Sequence, residues 1–225
     1  MSSTFGKNPG TKNGGSAMRE HVVTSIRLLL SLTALLGLAY PIAVWGAAQL
    51  LAAKASSGSF ETAEGRVVGS SLIGQKFAAA EHFRSRPSAA GDGGWDATSS
   101  GGSNLAPTSR KLADSVKAAV EVVRKDDPAE GPVQADAVTS SGSGLDPHAS
   151  PAYALRQVAR IAAATGLPEP RIRELVARRT EGRFLGLFGE PRVNVLLLNL
   201  DVDAAAAERA PAPAPAAAAT SDLRQ

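Results

Sequence analysis

Three stretches of the 225-residue chain hold most of the side chains able to bind or react. His82-Phe83-Arg84-Ser85-Arg86-Pro87-Ser88 groups an imidazole, two guanidiniums and two hydroxyls. Ser100-Gly101-Gly102-Ser103-Asn104-Leu105 is small and polar. The third runs Val138-Thr139-Ser140-Ser141-Gly142-Ser143-Gly144-Leu145-Asp146-Pro147-His148 and leads into a helix start. Backbone N–H groups around Ser141, Gly142, Ser143 and Gly144, just before a helix N-terminus, make an anion site physically feasible. The same glycines equally supply positive φ in tight turns, and Asp146-Pro147 opens a further turn. The residues alone leave both readings open. The pattern G-x-x-x-x-G-K-[ST] is absent, so this is no P-loop.

The remaining chemistry is sparse. His148 has no partner at metal-ligand spacing, since His21 and His82 lie far away in sequence, and it reads as a hydrogen-bonded turn residue. Gln157 and Arg160 stand three apart on one helix and are expected to meet on its surface, as a phosphate contact or as an ordinary solvated face. On an exposed face, Gln157→Ala would cost within about 0.5 kcal/mol. Arg171, Arg173, Arg178, Arg179 and Arg183 interleave with Glu169, Glu174 and Glu181, the pattern of a salt-bridged exterior. That mixed charge and 4% aromatic residues argue against nucleic acid as a partner. No nucleophile–base arrangement and no Asp-Lys-Thr phosphorylation context is visible. The absence of cysteine excludes disulfides and thiol-ligated metals without deciding the compartment.

The elements that must position these residues follow from periodicity. Leu112, Val116, Val120 and Val123 recur at helical spacing across residues 109–125, with Thr108 or Ser109 able to cap. A second helix starts at Pro151 behind Ser150, carries Leu155, Val158, Ala159 and Ala162, and ends at Gly166. A short third helix has Ile172, Leu175 and Val176 on one face. Residues 192–201 read as a strand with apolar residues on both faces, hence covered on both sides. Residues 66–70 and 135–139 are shorter strand candidates, and residues 91–103 form a long loop. The expected fold class is α+β or α/β, spanning residues 59–202, a single modest core.

Ahead of this domain, twenty-six residues between Arg27 and Lys54 carry no charge. At 1.5 Å rise per residue a helix of that length reaches about 39 Å, enough to cross the roughly 30 Å hydrocarbon core of a bilayer. The span is placed at residues 21–53. A cleaved signal peptide is the competing reading, because Ala53-Lys54-Ala55 fits a cleavage pattern; its apolar core would, however, be only about 7–15 residues long. Tyr40-Pro41 falls mid-span, where proline removes a donor and is expected to kink the helix. Lys7, Lys12, Arg19 and Arg27 precede the run, against Lys54 and Arg66 after it, which favours a cytoplasmic N-terminus and an exported domain. Residues 1–20 read as a disordered leader, and residues 203–225, rich in Ala and Pro, as a disordered tail.

The membrane helix and five ordered blocks resemble a known family. The blocks are residues 69–75, 83–88, 100–108, 141–148 and Leu185-Gly186-Leu187-Phe188-Gly189-Glu190-Pro191-Arg192-Val193-Asn194-Val195-Leu196. Together they resemble the C subunit of the Kdp-type bacterial potassium-transporting ATPase over residues 18–202. The departures are Ser140, just ahead of the fourth block, where the family pattern has Ala, and the leader and Ala/Pro tail, which have no family counterpart. The resemblance implies an accessory subunit of the bacterial inner membrane, not a catalyst. Its implied partners are a potassium-channel subunit, a P-type ATPase subunit, a small peptide subunit and membrane lipid. It implies a catalytic-chaperone role that raises the ATP affinity of the ATPase subunit. ATP would be shared with that subunit, with no cofactor of the chain's own. The implied nucleotide contacts are Ser141, Gly142, Ser143, Gly144 and Gln157. An exported domain cannot meet cytosolic ATP, so the alternative is a structural subunit covering the channel subunit from the periplasm.

Overall fold

The computed structural model describes residues 14–209, which divide into two units between Ser57 and Gly58. In the first unit α1 (Gly14–Ala34) passes through a π-helical turn (Leu35–Ala39) into α2 (Tyr40–Leu51), followed by the short α3 (Ala53–Ser56). Gly15–Leu51 forms one helical stretch of 37 residues, long and apolar enough to cross a membrane. The π-turn answers the problem set by Pro41. The Tyr40 N–H reaches back five residues to the Leu35 carbonyl, widening the turn where the proline ring would otherwise press on the preceding helix. Helix begins at Gly14, inside the stretch expected to be a disordered leader; residues 1–13 lie outside the described residues.

The second unit opens with a hairpin of β1 (Phe60–Ala63) and β2 (Arg66–Ser70), paired antiparallel with a bulge at Glu61/Thr62. Strand β2 matches its sequence reading; β1 was not anticipated. Helix α4 (Arg110–Asp126) follows the long loop, and the Ser109 side chain accepts from Leu112 N at its start, as expected. Its apolar stripe is only partly covered, and Val123 alone is fully buried.

Residues 135–139, expected as a strand, form the one-turn helix α5 (Ala135–Val138). The Asp136 carboxylate there accepts from Ser150 N at 2.6 Å and Ser150 Oγ at 3.1 Å, tying the turn to the next helix start. After β3 (His148–Ala149) come α6 (Pro151–Arg156) and α7 (Val158–Thr165), which break at Gln157 where a single helix was expected. The Ser150 cap and Gly166, left-handed at φ 71°, stand as read. Helix α8 (Glu169–Arg179) buries Ile172, Leu175 and Val176, also as read.

Residues 192–201 differ most from expectation. Only β5 (Arg192–Asn194) is extended; it pairs antiparallel with β3 and with β4 (Thr180–Glu181), and from Val195 the chain is α9 (Val195–Arg209). Asn194 makes the switch. Its Oδ1 accepts from Leu197 N at 3.2 Å, the geometry of an N-cap, and its Nδ2 donates to Ser71 O at 2.7 Å. Beyond it Val195, Leu198, Asn199, Val202 and Ala205 are buried, the three-and-four spacing of one helical face. Helix α9 also carries residues 203–209, which had been assigned to the tail; residues 210–225 lie outside the described residues. Every strand pairing among the described residues is antiparallel, so the second unit is a mixed α+β structure without a parallel α/β sheet. Its core lies among α6–α9 and β5, with Phe83 completed inside it from the loop side.

Candidate functional site

The third chemistry-bearing loop is where the sequence blocks converge. Gly101 N donates to Ser143 O at 2.8 Å and Ser100 Oγ to the same carbonyl at 3.1 Å. Ser88 Oγ donates to Gly144 O at 2.5 Å and itself accepts from Ala90 N and Trp95 N. Gly74 N donates to Leu145 O at 2.8 Å, and Val195 N to Pro147 O at 2.9 Å. Gly144 is buried at φ 67°; a Cβ there would stand 2.5 Å from Gly101 O and 2.7 Å from Ala90 N. Glycine is thus required twice, for the left-handed backbone and for the close approach.

Asp146 fixes the far end of the loop. Its Oδ1 accepts from His148 N at 3.0 Å and lies 3.1 Å from His148 Nδ1, while Arg86 Nη1 stands 3.2 Å from Oδ2. Burial acts to raise its pKa; the bonds from His148 and the charges of His148 and Arg86 outweigh that and hold the carboxyl below its ordinary range. His148 is hydrogen-bonded as expected, but it stands on strand β3, paired with Asn194, and not in a turn.

A second centre lies on the helix break. Gln157 is fully buried, not on an exposed face as expected. The α6/α7 interruption turns it inward, against the backbone of the 83–88 segment. Its Oε1 accepts from Arg84 N and from Arg160 Nη2, both at 2.8 Å. Its Nε2 is 3.4 Å from Arg84 O and from Tyr153 O. One residue earlier, buried Asn199 repeats the device: Oδ1 accepts from Phe83 N at 2.7 Å and Nδ2 donates to Phe83 O at 3.0 Å. Two buried amides thereby satisfy all four backbone polar groups of the Phe83-Arg84 dipeptide, which has no strand partner to do so.

Arg160 extends this clamp. Its Nε donates to Asp127 Oδ1 at 2.7 Å and its Nη1 to Ala80 O and His82 O, with only 10% and 1% of the two side chains exposed. The expected Gln157–Arg160 pair therefore exists, as an interior brace. Tyr153, beneath it, has its phenol pKa pushed up to about 12, first by burial and then by Asp127. An open apolar cavity of about 520 Å³ lies alongside, lined by Phe77, Pro87, Trp95, Val122 and Tyr153, with the Arg84–Asp126 ion pair at its edge.

The five sequence-predicted site residues are therefore not gathered into one pocket. Ser141, Gly142, Ser143 and Gly144 face residues 88–90 and 100–102, whereas Gln157 grips Arg84, four residues up the segment from Ser88. Within the loop, Gly142 and Ser143 are exposed and Ser141 is half-buried. Asn199 and Asp127 were missed. The helical spacing of Val195, Leu198 and Val202 was the available signal for Asn199; a buried Asp-Arg pair leaves none. Among the described residues no group of three or more His, Asp or Glu is placed to hold a metal.

Comparison with known proteins accounts for the block order. A family profile described as "KdpC: K+-transporting ATPase, c chain" matches residues 22–204. Among similar proteins, a potassium-transporting ATPase KdpC subunit of Nitratidesulfovibrio vulgaris is 54% identical over 176 residues, covering 78% of this chain and 89% of the relative. Proteins of the same description from Koribacter versatilis and Sorangium cellulosum are 48% and 52% identical, each over 81% of this chain and over 93% and 96% of the relative. The loops that meet at Gly144 and the amides that hold Phe83 and Arg84 all fall within the matched region, and the chain belongs to the KdpC family of potassium-transporting ATPase subunits.

Proposed function

We propose that the chain is a non-catalytic accessory subunit that assembles and steadies its potassium-transporting ATPase from the periplasmic side, anchored by residues 21–53. The observation that carries this reading is the commitment of Gln157: a side chain closed off from solvent and bonded to Arg84 and Arg160 has nothing left to offer a nucleotide. The loop of Ser141, Gly142, Ser143 and Gly144 turns the Gly144 N–H back onto Ser141 O at 3.2 Å and contains no lysine to balance phosphate charge. Lys and Arg favour the N-terminal side of the span, which supports a cytoplasmic N-terminus and a periplasmic second unit. In that compartment the domain acts on the complex by contact, with no access to cytosolic ATP.

The catalytic-chaperone reading, in which the loop and Gln157 raise the ATP affinity of the ATPase subunit, has one supporting feature: Gly142 and Ser143 remain exposed. Gly142→Ala separates the two readings, because a Cβ at Gly142 meets nothing within 4 Å and folding is left alone. The expected result is an assembled complex with unchanged nucleotide affinity, and protease added to spheroplasts removing the second unit. A tenfold fall in affinity, about 1.4 kcal/mol, with assembly intact would replace the contact reading by the nucleotide one.

A further inference from the structure

In a chain with two Trp, two Tyr and six Phe, three of these rings gather around one opening. Phe77, Trp95 and Tyr153 line the cavity of about 520 Å³ beside the Arg84–Asp126 pair, and Pro87 and Val122 complete its apolar wall. A volume of that order takes a small organic molecule.

Three features separate this cavity from a packing defect. Trp95 sits at φ 55°, a left-handed backbone that strains a bulky residue, and its N–H donates to Ser88 Oγ at 2.7 Å. Strain held in place at a cavity wall is typical of ligand sites. Ser85, also on the wall, is 8% exposed, and its hydroxyl is closed to solvent with no hydrogen-bond partner among the described residues. An unpaired buried hydroxyl costs stability, and a bond to a ligand restores it. Finally, Lys76 is exposed at the rim with its Nζ 5.9 Å from the Trp95 ring centroid, and it meets no carboxylate among the described residues. Asp126, the acid on the wall, is already taken by Arg84. The opening therefore has one unmatched positive charge at its wet end and apolar rings below.

We infer that this cavity binds a small aromatic carboxylate bearing a ring hydroxyl. The carboxylate pairs with Lys76 at the mouth, the ring lies among Phe77, Trp95 and Val122, and the ring hydroxyl meets Ser85 Oγ. Flat aromatic walls favour a ring over an acyl chain, because offset stacking adds to the burial of apolar area. A single ammonium balances one carboxylate and falls short of a polyphosphate, which separates this ligand from a nucleotide. The inference does not depend on the assembly reading above.

The probe is 6-hydroxy-2-naphthoate, titrated by calorimetry into the full chain in detergent with detergent alone as the blank. Saturable binding with Kd on the order of 100 µM is expected. Lys76→Met keeps an apolar stem at an exposed position, and Ser85→Ala removes a hydroxyl that bonds nothing in the chain. Each is expected to weaken binding about tenfold at an unchanged thermal midpoint. Ala119→Phe, which fills the cavity from α4, is expected to abolish it. No binding above the blank overturns the inference, as does unchanged affinity in Lys76→Met or in Ser85→Ala. Binding retained by Ala119→Phe places the probe elsewhere and overturns it too. Equal affinity for 2-naphthol, which lacks the carboxylate, or for decanoate, which makes the cavity an acyl-chain site, has the same consequence.

Discussion

Replacing Gln157 by Ala tests the interior clamp most directly. The substitution deletes an acceptor that takes two hydrogen bonds at 2.8 Å, from Arg84 N and Arg160 Nη2, in a site closed to water. The Arg84 N–H has no other partner to turn to, and a buried donor left unsatisfied costs about 1–3 kcal/mol. Arg160 keeps Asp127, Ala80 and His82, so its loss is the smaller part. The vacated methylene volume adds about 1 kcal/mol. The total is about 2–4 kcal/mol, several times the value expected for a solvated position. For a unit of this size each kcal/mol moves the midpoint by about 2–4 °C, so the shift is roughly 5–15 °C. The assay is thermal unfolding of the full chain in detergent, followed by near-ultraviolet circular dichroism. Gln157→Met, which fills the volume and makes no hydrogen bonds, is the companion. It is expected to recover only the cavity part. A shift below about 2 °C for Gln157→Ala, or near-complete recovery by Gln157→Met, would refute the clamp reasoning.

Asn199→Ala removes the matching bonds to Phe83 N and O and is expected to destabilise by about 2–3 kcal/mol in the same assay, with less than additive loss when combined with Gln157→Ala because both hold one segment. Gly144→Val brings a branched side chain to φ 67° against Gly101 O and Ala90 N and is expected to cost about 3 kcal/mol or more, measured as lost folded yield, whereas Gly142→Ala stays within about 0.5 kcal/mol. The lowered pKa of Asp146 contributes stability that is present above the carboxyl's unfolded value of about 3.9 and is lost as pH falls through its lower folded value; Asp146→Asn is therefore expected to flatten the acid limb of an unfolding-versus-pH series. The Tyr153 phenol, pushed up to about 12, contributes stability below about pH 10 that disappears between there and about 12, and Tyr153→Phe is expected to remove this alkaline limb from an unfolding-versus-pH series.

Sequence by itself determined what depends on neighbours along the chain. The uncharged run fixed a helix long enough to span a bilayer, because length and lack of charge are local properties. The caps at Ser109 and Ser150, the stop at Gly166 and the buried stripe of Ile172, Leu175 and Val176 were legible for the same reason. The block order was sufficient to assign the family. What tertiary structure decided is where polar groups find partners. Val193-Asn194-Val195 alternates like a strand, yet Asn194 caps a helix there because its amide also has Ser71 O to bind, more than a hundred residues earlier in the chain. Gln157 looks solvated by spacing, since nothing local reveals that the helix breaks at that residue or that Arg84 presents an unpaired backbone to it. Helical periodicity assigns a face to a side chain. Whether that face meets water or another segment is set by long-range packing, and the buried hydrogen bonds that follow make Gln157 and Asn199 parts of the core.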